Sequence, residues 1–154
     1  MIRFDNGEVM FLVPPGWDER SFLAFEAPRG RALTIGTNVS LARIPEATVS
    51  PSAYVMQQVA RLASVLRRFE LVSNRSFTLR DLPASELLYH WNPPDGGVTE
   101  RLTVFTRNGS LYVLTASTLR GGFDHMAPTF DQIARSITFT DTIAPALTTT
   151  TRGF

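Results

Sequence analysis

Residues 32–43 read ALTIGTNVSLAR, and their alternation decides the architecture. Leu33, Ile35, Thr37, Val39 and Leu41 occupy the odd positions, and Gly36, Asn38, Ser40 and Ala42 the even ones. A period of two puts the bulky set on one face of a strand and the small or polar set on the other, so one face belongs to a core and the other is open. Small side chains let a second backbone come close, which makes the open face either the floor of a groove or an ordinary solvated strand face.

Upstream, Glu8 to Val13 is an apolar run closed by Pro14-Pro15-Gly16, a strand ended by a turn, with Trp17 directly after it. Ser21 to Glu26 reads as a second strand, turned by Pro28-Arg29-Gly30 toward the strand over Ala32 to Arg43. Downstream, Ser50 offers a cap and Pro51 the first helical position. Val55, Val59, Leu62, Leu66 and Phe69 then recur at three- and four-residue spacing, which predicts a long amphipathic helix through Phe69. Gln57, Arg61, Ser64, Arg67 and Arg68 fall away from that stripe, whereas Gln58 lies beside it.

Further strands are predicted at Phe69–Val72, Ser76–Leu79, Ser85–Trp91, Thr99–Thr106 and Leu111–Ser117, with Asn108-Gly109 as a hairpin turn. Gly121-Gly122 marks the entry to a last helix over Pro128–Arg135, and Thr138-Phe139 reads as a final strand. Strands joined by short turns imply an antiparallel sheet, and two helices cover it: an α+β fold. A single domain is expected over residues 1–139. From Asp141 the chain carries Thr148 to Thr151 and little apolar content, so residues 140–154 are expected to form a mobile tail.

The chain has 154 residues, 44% of them hydrophobic, enough for one core of ordinary size. Its 15 cations are all arginine, spread along the chain, and the formal net charge is +1, so the electrostatic footprint of a nucleic-acid binder is missing. Without cysteine there is no disulfide, thiolate metal site or cysteine nucleophile. Early acids interrupt any signal-peptide core, and no run reaches the length of a membrane span, so a cytoplasmic protein without stable membrane insertion is expected.

No catalytic residue, metal or cofactor is assigned. His90 and His125 lack a partner at metal-ligand spacing, and the strand alternation separates His90 from Tyr89 and Trp91. No Gly-x-Ser-x-Gly elbow or phosphate-binding glycine loop occurs, and the acids Asp18, Glu19 and Asp81 neighbour Arg20 and Arg80 as they do in solvated turns.

Several strings in order resemble the DcrB-like family, whose members share a PsbP-like fold. They are Val13-Pro14-Pro15-Gly16-Trp17, the strand ending at Arg43, Tyr54-Val55, Leu82-Pro83-Ala84, Tyr89-His90-Trp91, Leu114-Thr115-Ala116-Ser117 and the segment from Phe130 to Phe139. The Trp91 strand looks like the Eag branch, the effector-associated chaperones of type VI secretion systems. The resemblance implies a homodimer that cradles the apolar N-terminal transmembrane helices of a secreted effector, with no cofactor. It also implies that Phe22, Ala24, Asn38, Ser40, Ala42, Gln58 and Leu102 contact this cargo. The chain departs from the family at Asp81, where a glycine is usual, and at Glu100-Arg101-Leu102, where a Gln-x-Gln pair is common.

Two other classes stay open on the residues alone. One is a general interaction module that binds a folded soluble partner through the opposite surface. The other is an enzyme or ligand carrier with aromatic walls at Trp17, Tyr89 and Trp91.

Overall fold

The computed structural model describes residues 2–5, 10–13, 15, 22–28 and 36–139, with the side chains of 2–5 and 10–13 left aside. The expectations for Trp17, for residues 29–35 and for the tail at 140–154 therefore lie outside the described residues. Strands β1 (Ile2–Asp5) and β2 (Met10–Val13) form a two-stranded antiparallel ribbon. The six-stranded sheet is built from β3 (Phe22–Glu26), β4 (Asn38–Ile44), β5 (Glu70–Leu79), β6 (Leu82–Trp91), β7 (Val98–Arg107) and β8 (Ser110–Leu119). Its order is β3-β4-β8-β7-β6-β5, and every neighbouring pair is antiparallel. Helix α1 (Pro51–Val65) joins β4 to β5, and α2 (Phe123–Ser136) follows β8 after a short 3-10 turn at Arg120–Gly122.

The local chemistry explains these elements. Ser50 Oγ accepts from the Ala53 backbone N–H at 3.2 Å, and Pro51 occupies the position where its missing N–H costs nothing. Helix α1 ends at Val65, short of the expected Phe69, because the chain turns through Arg68 at φ 53° to enter β5. The hairpins β5–β6 and β7–β8 turn through left-handed pairs, Arg80-Asp81 (φ 46° and 65°) and Asn108-Gly109 (φ 49° and 74°). The first pair accounts for the departure at Asp81: glycine adopts this backbone freely, and aspartate is among the few other residues that tolerate it.

Three boundaries differ from expectation. Of the expected strands Phe69–Val72 and Ser76–Leu79, all but Phe69 belong to one strand, β5, which carries an irregularity between Leu71 and Ser73 and pairs with β6 through its polar middle. Helix α2 starts at Phe123, so Pro128 lies inside it and not at its head. Thr138-Phe139 is not a strand; the Phe139 ring packs edge-on against Phe105 and Tyr112 at 6.0 and 5.5 Å.

The two helices take opposite faces. Val55 of α1 packs in one core with Leu87, Tyr89, Leu102, Val104, Leu111 and Val113 of the sheet, with Ala42 and Ile44 of β4 at the margin. The other face buries Phe105, Ala84 and Leu79 beside Leu41, and Ala116, Met126 and Phe130 beside Val39. A fully buried Phe or Leu contributes about 1.5–3 kcal/mol, so these clusters carry much of the fold's stability. The alternation in β4 is as expected: Val39 and Leu41 go to the α2 side, and Asn38, Ser40 and Ala42 to the α1 side.

Candidate functional site

Chain continuity sets α1 diagonally across the sheet. It begins a few residues after Ile44, where β4 ends beside Leu111, and ends just before Glu70, which pairs with His90 at the far end of β6. Helix α1 packs on β5, β6 and β7 and, among the described residues, leaves a wedge of the same face open over β3, β4 and β8, where Ala24 and Asn38 are exposed.

Register sets out this face of the sheet in rows, open at the β3–β4 side and running under α1 at the other. One row runs Phe22, Ala42, Val113 and Val104; the next runs Ala24, Ser40, Thr115 and Leu102; the third runs Glu26, Asn38, Ser117 and Glu100. Five expected cargo residues, Phe22, Ala24, Asn38, Ser40 and Ala42, therefore share one continuous surface. Phe22, Ala24 and Asn38 are exposed, and Ser40 and Ala42 half-buried. The Phe22 ring, 64% exposed, stands at the outer edge as an apolar rim.

The wall comes from α1. Asn74 on β5 donates to the Met56 sulfur at 3.4 Å, so the Met56 side of the helix faces β5. Gln58 lies about 160° round the axis from Met56 at 100° per residue, on the flank that also carries Tyr54 and Val65. That flank faces the wedge. Gln58 and Tyr54 are half-buried there, and Val65 is 67% exposed. The structure thus brings Gln58 to the same groove as the β3 and β4 residues.

Leu102 requires a correction. It is 7% exposed and packs in the core beneath α1, so it supports the floor from inside and has little surface for a cargo. Alternation puts Glu100 on the same face of that strand, in the row of Ser117 and Asn38. Its carboxylate accepts from the Tyr89 hydroxyl through Oε2 and from Ser117 Oγ, 3.3 Å away, through Oε1. Burial foremost, and then the negative charge and hydrogen bond of Glu100, push the Tyr89 phenol well above its ordinary pKa. The sequence reading also passed over Thr115 and Ser117. Their small polar character was visible within Leu114-Thr115-Ala116-Ser117, but that β8 lies next to β4 was not.

On the opposite face the polar groups serve to fasten α2. Arg101 Nη1 donates to Asp131 Oδ1 of α2 at 2.7 Å, Arg101 Nε lies 3.8 Å from Glu86 Oε2, and Arg75 Nε donates to Glu86 Oε1 at 2.9 Å. An apolar cavity of about 390 Å³ lies nearby between β3–β4 and α2, lined by Phe25, Val39, Met126, Phe130 and Ile133 among others. Near Thr99, the His90 ring Nδ1 lies 2.7 Å from the Thr99 hydroxyl. Burial and then the nearby Arg120 lower its pKa, against a smaller opposing effect of Glu70.

Comparison with known proteins places this geometry in context. The chain is similar to a Pseudomonas aeruginosa protein of unknown function, PA94, with a TM-score of 0.68 and 19% identity, over 92% of this chain and 99% of that one. It is similar to the cyanobacterial PsbP protein CyanoP of Synechocystis, with a TM-score of 0.55 and 16% identity, over 90% and 92% of the two chains. At such identities the likeness establishes the fold, an antiparallel six-stranded sheet with two helices of the PsbP-like kind. No match is found among the curated proteins. The DcrB family model matches residues 8–136, and the chain belongs to the DcrB family.

Proposed function

We propose that this protein is a chaperone that shields the hydrophobic N-terminal transmembrane helices of a secreted effector of a type VI system, working as a cytoplasmic homodimer without catalysis or cofactor. The observation that supports it best is the wedge beside α1: a small-residue floor (Ala24, Asn38, Ser40, Ala42, Thr115) between an apolar rim at Phe22 and the α1 flank at Tyr54, Gln58 and Val65. A transmembrane helix in water exposes about 20 mostly apolar residues, and covering it takes a trough whose floor lets the helix backbone come close. The amide of Gln58 and the hydroxyl of Ser40 supply the polar contacts that orient such a helix. Among the described residues no helix is long and apolar enough to cross a membrane itself.

The test is co-expression with the N-terminal region of an effector encoded beside this protein, followed by light scattering on the complex. Two copies of this chain per cargo are expected. Ser40→Trp fills the floor where the side chain is half-buried and outside the core clusters, so it should abolish the complex and leave the melting temperature nearly unchanged. A folded Ser40→Trp protein that still holds cargo rejects the groove.

A second reading is favoured by the apolar cavity under Phe25 and by the exposure of Leu23 and Phe25, 58% and 68%, on the α2 side. Here the chain is an interaction module that binds a folded soluble partner through that surface. Phe25→Ser and Ser40→Trp then separate the readings, because each removes binding on one face only.

A further inference from the structure

Glu100 is the one carboxylate of β7, and it lies on the α1 face of the sheet in one row with Tyr89, Ser117 and Asn38. Among the described residues its partners are two hydroxyls, those of Tyr89 and Ser117, and no cation stands against it. The cations nearest in sequence are engaged elsewhere: Arg101 points to the other face toward Asp131 and Glu86, and Arg120 pairs with Glu70 at 3.0 Å. From Glu100 that row runs through Ser117 and Asn38 to Glu26, adding another acid and no base.

A half-buried carboxylate with two donors is well served while water reaches it. An apolar helix lying in the groove removes that water, and the hydroxyl donors alone do not replace it. A cargo that brings its own cation avoids the penalty, whereas one that is apolar or acidic at that point incurs it. Discrimination of this kind comes from the cost imposed on the wrong partner. Transmembrane segments carry lysine and arginine at one end, where the chain leaves the apolar stretch, and Glu100 stands in the row of Ser117 and Asn38, at the end of the wedge.

We infer that Glu100 selects cargo helices that bear a lysine or arginine at the boundary of the apolar stretch, pairing that cation with its carboxylate at the open end of the groove. This rests on the groove reading above and makes it more specific: the carboxylate fixes which end of the cargo helix lies over Ser117 and Asn38.

The experiment uses the full chain and a soluble carrier protein fused to an apolar 20-residue helix. The helix is followed by lysine in one version, glutamine in a second and aspartate in a third. Retention on immobilised wild-type protein is expected to favour the lysine fusion over the glutamine fusion at least tenfold, with the aspartate fusion weakest. Glu100→Gln keeps an acceptor for Tyr89 and Ser117 and should bring the lysine and glutamine fusions within about twofold of each other. Equal retention of all three fusions by the wild type overturns the inference and leaves the groove standing, as does a preference that survives Glu100→Gln. Failure of the wild type to retain any fusion rejects the groove itself, and this inference with it. Should Glu100→Gln fail to fold, the ranking of the three fusions on the wild type decides alone.

Discussion

The two faces of the six-stranded sheet are made by the same strands and are put to opposite uses. On the α2 side the helix is pinned by packing and by charge, with Phe130 2% exposed and Arg101 bonded to Asp131. On the α1 side the helix crosses obliquely and covers only part of the face, leaving small and polar residues in the open. Glu100 and Arg101 condense the contrast into one dipeptide. The arginine is buried with acidic partners and holds two elements together, and the glutamate lies half-buried with only hydroxyls beside it. The lesson is that a helix crossing a sheet obliquely leaves part of a face unpacked while the rest of that face still carries core, as Leu87, Leu102 and Val104 do.

Truncating a large side chain on each face tests that division most severely. Phe130→Ala should cost about 3–5 kcal/mol in urea unfolding, as removal of a fully buried aromatic does. Phe22→Ala, at an exposed rim, should change stability by less than about 0.5 kcal/mol while weakening cargo binding. If the two variants cost the same, Phe22 is part of a packed core and the comparison fails.

The dipeptide sharpens it further. Arg101→Leu takes one of two cations from Glu86, which keeps Arg75, and leaves the half-exposed Asp131 without its partner, so it should cost about 1–3 kcal/mol, less than a buried charge left with no partner at all. Glu100→Gln retains an acceptor for both hydroxyls and should cost no more than about 1 kcal/mol. Thermal melts of the two variants side by side read this directly.

The smallest effect concerns pH. The folded-state pKa of His90 is depressed, so in the interval between that value and its ordinary 6.5 the unfolded chain binds the extra proton. Its contribution to stability is present above about pH 6.5 and is lost as pH falls through the folded-state value. Wild-type protein should lose melting temperature over that window relative to His90→Gln, which has nothing to titrate. Parallel curves for the two proteins would remove His90 from the account.

Much of this was legible before any coordinates. The parity of β4 followed from residues 38–42 alone, the α1 cap from Ser50-Pro51, and the β7–β8 turn from Asn108-Gly109, because each rests on chemistry within a few residues. Where local signals compete, the reading slipped. Pro128 imitates the start of a helix, yet α2 begins five residues earlier. Ser73-Asn74-Arg75 looks like a break, yet β6 supplies the strand with a partner and it runs through. Leu102 was assigned to the groove by analogy with a string, and only the placement of α1 reveals it to be core.

By itself, then, the sequence determined which side of β4 is bulky, where the main helix starts and that the fold is α+β, since side-chain alternation and capping are local properties of the chain. Only the tertiary structure decided that β8 inserts between β4 and β7 and that α1 runs obliquely. Strand order is set by pairings between distant segments, which leave no periodic trace in the sequence. That order joins Ser40 to Thr115 and Asn38 to Ser117, and brings Glu100 to the end of the groove.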